Sequence, residues 1–496
     1  MASLGSVQAH SPAATAQSAH AAEVAFALLG GASVLAYAFY WLRPFWLGDF
    51  KPFSGSALSE TTILGADWEG LAGYVAAFVC PVAFYVAALM ILPRVRPRAA
   101  WTIALLVAVA APLVLLYTYP AMAADVFDYL MIGRLISAYH VNPYTHVPNF
   151  APVDPYFPPV GWKDLNSVYG PAWMLPMAGI TALWGNSALG ALLMTKFVSV
   201  LAHWATAGLV YAVARRLHPE KALFAFVAYA WNPLVVLHFA VDGHNDSLLL
   251  LFLMASLYFG LQRRWEASFL ALTMSALIKF VPLVLFPWFI WRARREGDNI
   301  WPAIALTWLL AVVFFVPFWA GTGTFDGLRN QASRMTTSPA ALASFFVPDA
   351  WLRPAAVALF ASGYLVVLRR RLGLVEGAYA VLLLYLLVLS FWTKPWYFTG
   401  PIAVGAVLGG AAFWTTVPGM IGLFASNIFG GWAWIMDWWR WNERWGLKAM
   451  EAWLTSTAIG SWVLSWLAIW IWRRRPRVPR RERGRADSRP LARAAP

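Results

Sequence analysis

A chain of 496 residues that is 60% hydrophobic and only 12% charged carries about half the roughly 25% charge of soluble domains. That composition excludes a water-soluble globule of this size, because too few polar side chains remain to cover its surface. The net charge of +14 sits in short basic clusters between apolar blocks and in a terminal run, not on one basic face, so no nucleic-acid partner is expected.

The first roughly 20 residues hold no Lys or Arg and so lack the basic flank of a secretory signal peptide; the apolar block that follows is expected to stay as an anchor. Many apolar blocks approach the ~20 residues a helix needs to cross a bilayer. They are continuous, without the period-two alternation of barrel strands. The fold class expected is therefore all-α and polytopic. In chain order the crossings fall at 22–43, 70–92, 100–118, 188–213, 221–240, 247–262, 266–279, 281–293, 300–320, 354–370, 375–392, 396–414, 416–436 and 449–472, about 14 in all.

Basic clusters set the orientation. Arg94, Arg96 and Arg98, then Arg215, Arg216 and Lys221, Arg263 and Arg264, Arg292, Arg294 and Arg295, Arg369 to Arg371, and the tail at 473–496 all fall on one side of this arrangement. The positive-inside rule makes that side cytoplasmic, with both termini there and roughly 24 of the 37 Lys and Arg. Such a basic tail also reads as an anchor on anionic membrane lipid. The outside face then receives 119–170, the turn 241–246, the loop 321–353 and the turn 393–396; the Trp-rich 437–448 reads as an interfacial belt. Residues 266–293 have basic groups at both ends, so one crossing would break the charge rule; a broken hairpin turning near Lys279, Phe280 and Pro282 satisfies it. The apolar stretch 171–185 is too short for a crossing and is expected to lie in the outer interface. The single cysteine, Cys80, permits no intrachain disulfide. Four parts result: residues 1–99 (tail and two helices), 100–414 (the membrane module that carries the motifs below), 415–472 (terminal helices) and 473–496 (basic tail).

Chemistry-bearing residues concentrate in the outside segments. In DVFDYLMIGRLISAYHVNPY, Asp125 and Asp128 are three apart and share a helix face; desolvation against a membrane would raise a carboxylate's pKa and make it a better base, while a nearby cation would oppose that. Acids at a helix N-terminus are also ordinary dipole partners. Arg134 follows on the same helix. The turn VDGHND crowds Asp242, His244, Asn245 and Asp246 where a turn needs only Gly and one or two polar residues. These could ligate a metal or hydrogen-bond a sugar; the spacing matches no metal motif, so sugar binding is the preferred reading and no cofactor is expected, a divalent metal being possible but not favoured. Lys279, in SALIKFVPLVLFP, would cost about 2.5–3.5 kcal/mol at a bilayer centre, which suits an anionic partner such as a lipid phosphate. Lys394, Trp396 and Tyr397 in KPWYF could hold a sugar ring, although Lys–Trp–Tyr is also common belt chemistry. Arg329 and Arg334 are further outside cations. Tyr144 in NPY and Tyr169 in VYGP stand at turns set by Pro and Gly and read as structural; Tyr169 is also a candidate substrate-binding residue. His203 and Lys196, inside the 188–213 crossing, read as internally paired.

In this order, DVFDYLMIGRLISAYHVNPY, VYGPAW, WNPLVVLHFAVDGHNDSLLL, SALIKFVPLVLFP and KPWYF resemble the GT-C glycosyltransferases, and among them the bacterial polyprenyl-phosphate-mannose-dependent α-mannosyltransferases of the lipomannan α-1,6 type. The likeness covers about residues 100–400. It implies a GT-C fold, an inverting hexosyl transfer at the extracytoplasmic face of the inner or plasma membrane, a polyprenyl-phosphate-sugar donor and a glycan or glycolipid acceptor. It makes Asp125, the Asp of DVF, the catalytic base. Gly243 to Asp246 would line the same cavity, and Lys279 matches the family's lysine in the broken hairpin. Asp128 stands where relatives often carry another small polar residue. A secondary transporter or lipid-linked-sugar flippase is the rival, since broken helices and polar sites near the midplane also mark transporters.

Overall fold

The computed structural model describes residues 12–424, apart from 66, 336, 337, 415, 418 and 423. The described residues are 75% helical with no strands among them, which settles helices over a barrel. Among the described residues six helices are long and apolar enough to cross a membrane: Gln17–Leu42, Trp68–Arg94, Pro97–Leu115, Ala188–Leu217, Trp301–Phe318 and Asp349–Arg369. A seventh crossing results if Pro219–Ala230 and Pro233–Ala240, bent by 48°, count as one.

The expected crossings at 247–262, 266–279, 281–293, 375–392 and 396–414 are shorter or broken helices. Asp246–Gly260 and Trp265–Ile278 have 15 and 14 residues, or about 22 Å of rise against a hydrocarbon core of about 30 Å. The full expectation of about 14 therefore goes beyond what helix length supports. The crossings at 416–436 and 449–472, the belt 437–448 and the tail lie wholly or largely outside the described residues.

Each break has a local cause. After Ala230 the chain meets Asn232–Pro233. Proline cannot donate a helical hydrogen bond and drives its predecessor out of the helical region; Asn232 is extended, at φ −61° and ψ 120°. Its side chain then caps the next helix, accepting from Leu234 N at 3.1 Å and Val235 N at 3.3 Å. Beyond Ala240, Gly243 takes φ +64°, a left-handed conformation suited to glycine. The reversal lets the His244 N–H donate to the His238 carbonyl at 3.1 Å.

The broken hairpin is present. Lys279 is extended, at φ −153° and ψ 135°, where Trp265–Ile278 ends, and Pro282 starts a short 3-10 turn that leads into Phe286–Arg295. The arms run back on each other: Phe269 meets Phe286 and Phe289 at ring separations of 5.9 and 6.3 Å. At the far end Arg263 and Trp265 both bond Asp298, so the two basic flanks lie on one side. Arg263 and Arg292 share a cavity there with Leu217 and Leu374.

Pro171–Trp184, expected in the outer interface, packs along Asp125–Ser137. Ser137 and Thr181 hydroxyls bond at 2.9 Å, and a Cβ on Gly133 would strike the Met177 backbone. Trp173, Met174 and Met177 are buried.

Candidate functional site

A cavity of about 300 Å³ opens where the Asp125–Ser137 helix, the 161–169 loop, the hairpin break and the 392–397 turn meet. Its walls include Asp125, Asp128, Tyr169, Lys279, Arg334, Lys394, Trp396 and Tyr397. The volume lies at the lower end for small-molecule sites.

The VYGP motif shows how local sequence builds it. The helix break at Lys279 leaves the Ile278 carbonyl without a helical partner, and the Gly170 N–H donates to it at 3.0 Å. Any Cβ on Gly170 would fall on the Leu277 carbonyl, so only glycine allows this approach. The adjoining Tyr169 is thereby placed to donate its hydroxyl to Asp125 Oδ1 at 3.2 Å. The Tyr144 hydroxyl donates to the Tyr169 carbonyl at 2.9 Å. Tyr144 is thus structural, as expected, whereas Tyr169 reaches the carboxylate.

Burial raises the Asp125 pKa above the ordinary carboxylate value; the charges of Lys279 and Lys394 and the Tyr169 hydrogen bond pull it back down. The carboxylate is thus desolvated and faces two cations. Asp128, on the same face, plays a different part. Its Oδ1 accepts from the Trp162 N–H at 2.9 Å and the Gly161 N–H at 3.1 Å, pinning the loop that carries Trp162 to the helix. Burial, reinforced by the charge of Asp125, pushes its pKa up to about 8. One acid is therefore the candidate proton acceptor, and its neighbour a largely protonated latch at neutral pH.

Lys279 reaches across to Asp246, with Nζ 3.0 Å from Oδ2 and 3.3 Å from Oδ1, and stands 4.4 Å from the centre of the Tyr397 ring. The GHND turn backs this wall rather than lining it. His244 stacks on Trp396 at 4.1 Å, and the Tyr129 hydroxyl lies 3.2 Å from His244 Nδ1 and 3.3 Å from Asn245 Oδ1. Asp242 is fully buried and bonded to His238 at 2.8 Å.

Besides the GHND residues behind the wall, two further sequence candidates lie away from the cavity. Arg134 points the other way, bonding Asp154 at 2.9 Å and Asn186 Oδ1 at 3.2 Å; it ties two loops together. Arg329 pairs on the surface with Asp326 at 2.7 Å. The cation that does line the cavity from that loop is Arg334, 4.5 Å from the Trp162 ring and 5.5 Å from the Trp392 ring. Trp162, Gln331 and Trp392 line it too and went unnoticed in sequence, where nothing separates them from other loop and interfacial residues. His238 was also missed, although it stands one helical turn before Asp242. Lys196 and His203 are internally paired, to the Leu115 and Thr118 carbonyls and to the Ala230 carbonyl.

A second cavity of about 210 Å³ shares Lys279, Gln331, Arg334, Trp392 and Tyr397 with the first and continues along Phe280, Val281, Val284, Leu389 and Phe391. Charge is concentrated at the junction, and one side leads away along apolar walls.

Residues 5–295 match a family described as Alpha-(1->6)-mannopyranosyltransferase, N-terminal domain. Alpha-(1->6)-mannopyranosyltransferase A of Mycobacterium tuberculosis is 26% identical over 342 residues, 60% of this chain and 63% of its own length. The A protein of Corynebacterium glutamicum is 24% identical over 179 residues, 36% of each chain. The B protein of the same organism is 30% identical over 160 residues, 31% of this chain and 25% of its own. The matched stretches thus span less than two thirds of these curated relatives.

Proposed function

The chain belongs to the alpha-(1->6)-mannopyranosyltransferase family, and from that premise we propose that it is a membrane hexosyltransferase of the GT-C kind, moving mannose from a polyprenyl-phosphate carrier to a hydroxyl of a glycan or glycolipid. The observation that carries this reading is the convergence of the Asp125 carboxylate with Lys279 and Lys394 in one cavity.

The reaction is a single displacement. Asp125 takes the proton of the acceptor hydroxyl. As that bond breaks, the acceptor oxygen forms a bond to the anomeric carbon, and the bond from that carbon to the phosphate oxygen breaks with its electron pair on the phosphate. Fixed cations stabilise the departing anion without reorganisation, commonly the largest catalytic effect; Lys279 and Arg334, at the junction of the two cavities, are placed for it. The apolar second cavity suits the first isoprene units of the carrier, and Trp162, Trp392 and Trp396 offer faces for sugar rings. Asp246 holds Lys279 in register until phosphate competes for it. A resident cofactor has no step in this scheme.

The cavity lies at the opposite end of the hairpin from Arg263 and Arg292. With those basic flanks cytoplasmic by the positive-inside rule, the chemistry takes place on the extracytoplasmic face of the plasma or inner membrane, and the shorter helices count as further crossings beside the long ones.

The test is transfer of labelled mannose from synthetic polyprenyl-phosphate mannose to a mannosyl glycolipid by the purified protein. Product is expected with the native chain and not with Asp125→Asn. Carrier movement across vesicles without product, or wild-type turnover by the variant, would overturn the assignment.

A further inference from the structure

Behind the cavity wall, His238, Asp242 and His244 lie together with no exposed surface. One ligand atom from each stands within 4.8 Å of the other two. His238 comes from the Pro233–Ala240 helix and the other two from the turn that Gly243 makes possible. Three polar atoms of this cluster, His238 Nε2, Asp242 Oδ1 and His244 Nε2, have no hydrogen-bond partner among the described residues.

His238 Nδ1 and Asp242 Oδ2, at 2.8 Å, share one hydrogen, and their other atoms, His238 Nε2 and Asp242 Oδ1, stay outside that bond. The Tyr129 hydroxyl has one proton for two acceptors. Given to Asn245, it leaves His244 Nδ1 to donate to the tyrosine oxygen and His244 Nε2 free to act as a ligand. Lys196 is within electrostatic reach of Asp242, but its ammonium is engaged by the Leu115 and Thr118 carbonyls. Three buried ligand atoms of the cluster, with Asn245 Nδ2 on the same turn, then lack a hydrogen-bond partner among the described residues, a costly arrangement. A cation resolves it for the three ligand atoms.

We infer that His238, Asp242 and His244 form a structural site for one divalent transition-metal ion of the zinc class. Two imidazole nitrogens and a carboxylate oxygen are the donors such ions prefer. Ligands about 2.1 Å from a tetrahedral ion stand about 3.4 Å apart, so the side chains close by roughly 1 Å on binding. The surroundings fit an outer shell: Trp396 covers the His244 ring at 4.1 Å, and Tyr129 orients its Nδ1. An ion here would lock the turn that delivers Asp246 to Lys279 and would buttress Trp396 from behind, a positioning role and not a step in transfer. The spacing H-x3-D-x-H spans one helix end and one turn, which is why it matches no motif that sequence alone identifies.

The full chain, carrying a tag without histidines, is purified in detergent without chelator and its metal content measured by plasma mass spectrometry. About one divalent ion per chain is expected; His238→Ala and His244→Ala should fall to background, while Asp125→Asn, inactive under the proposed function, keeps the ion. The native chain is also stripped with chelator and its thermal midpoint followed as Zn²⁺ is returned; a drop on stripping and recovery on addition are expected even if the variants fold poorly. Native protein without stoichiometric metal and without a thermal response to Zn²⁺, or histidine variants that keep their metal, would overturn the site. Neither outcome bears on whether Asp125 is the base.

Discussion

The hairpin between Arg263 and Asp298 carries an ion pair at each end, and the two ends differ in kind. At one end Arg263 bonds Asp298 at 2.8 Å with the arginine more than half exposed. At the other, Lys279 bonds Asp246 at 3.0 Å with the two side chains only 13% and 7% exposed. The first sits where water competes for both partners, so it contributes little. The second is held inside the protein, where removing one partner strands the other, and it faces a cavity that also holds a carboxylate and two further cations. The distances are alike; the surroundings decide which pair is a surface detail and which is a site.

The largest test of this contrast is Asp125→Asn. Losing a general base should lower mannosyl transfer by about 10²- to 10⁴-fold, measured with labelled donor, while the protein stays monodisperse in detergent. Turnover near the native rate would remove the cavity end from the chemistry.

Lys279→Met should cost about 10²- to 10³-fold in turnover, whereas Arg263→Met at the other end should leave it within about twofold. The pH profile sharpens the point. The Lys279 charge holds the Asp125 carboxylate down against burial; without it that pKa rises, and the acid limb of residual activity moves to higher pH. An unmoved limb would separate Lys279 from the base.

Stability should separate the two ends as well. Asp246→Ala is expected to cost about 3–5 kcal/mol and Asp298→Ala at most about 1 kcal/mol, read from thermal or denaturant unfolding in detergent. Equal costs would break the comparison.

The smallest effect concerns the latch. Asp128, with its pKa pushed up to about 8, binds a proton on folding at pH values between the ordinary carboxylate value and about 8. The native state holds more protons than the unfolded one there, so stability falls as pH rises through that window. Asp128→Asn keeps an oxygen for the Gly161 and Trp162 N–H groups but does not titrate, so its thermal midpoint should decline less over that window than that of the native chain. A parallel decline would assign the pH dependence to another group.

Much of this was legible in the sequence, and the limits are instructive. Low charge and long apolar blocks indicated helices in a membrane, and Lys279 with Pro282 marked the hairpin break, because proline and a mid-stretch charge act locally. Asp125 and Lys394 stood out as polar groups at the ends of apolar runs, and both line the cavity. Arg134 shows the opposite case: its helix was read correctly, but its partner Asp154 is 20 residues away across a loop, and periodicity says nothing about which way a side chain turns. Arg329 and Arg334 look equivalent in FDGLRNQASR; only packing against Trp162 and Trp392 separates them.

Residue types alone made the helical character, the hairpin break at Lys279 and Pro282 and the polar residues at the ends of apolar runs legible, because backbone geometry and burial of apolar runs are local consequences of residue type; the bend at Asn232–Pro233 inside the expected 221–240 crossing was not among them. Only the tertiary structure decided that Asp125 faces two lysines while Asp128 holds a loop, that Gly170 docks on the freed Ile278 carbonyl, and that His238 joins Asp242 and His244. Those outcomes depend on which surfaces meet across tens to hundreds of residues, and the reach of an electrostatic or hydrogen-bonding group is a few ångströms in space, not a spacing along the chain.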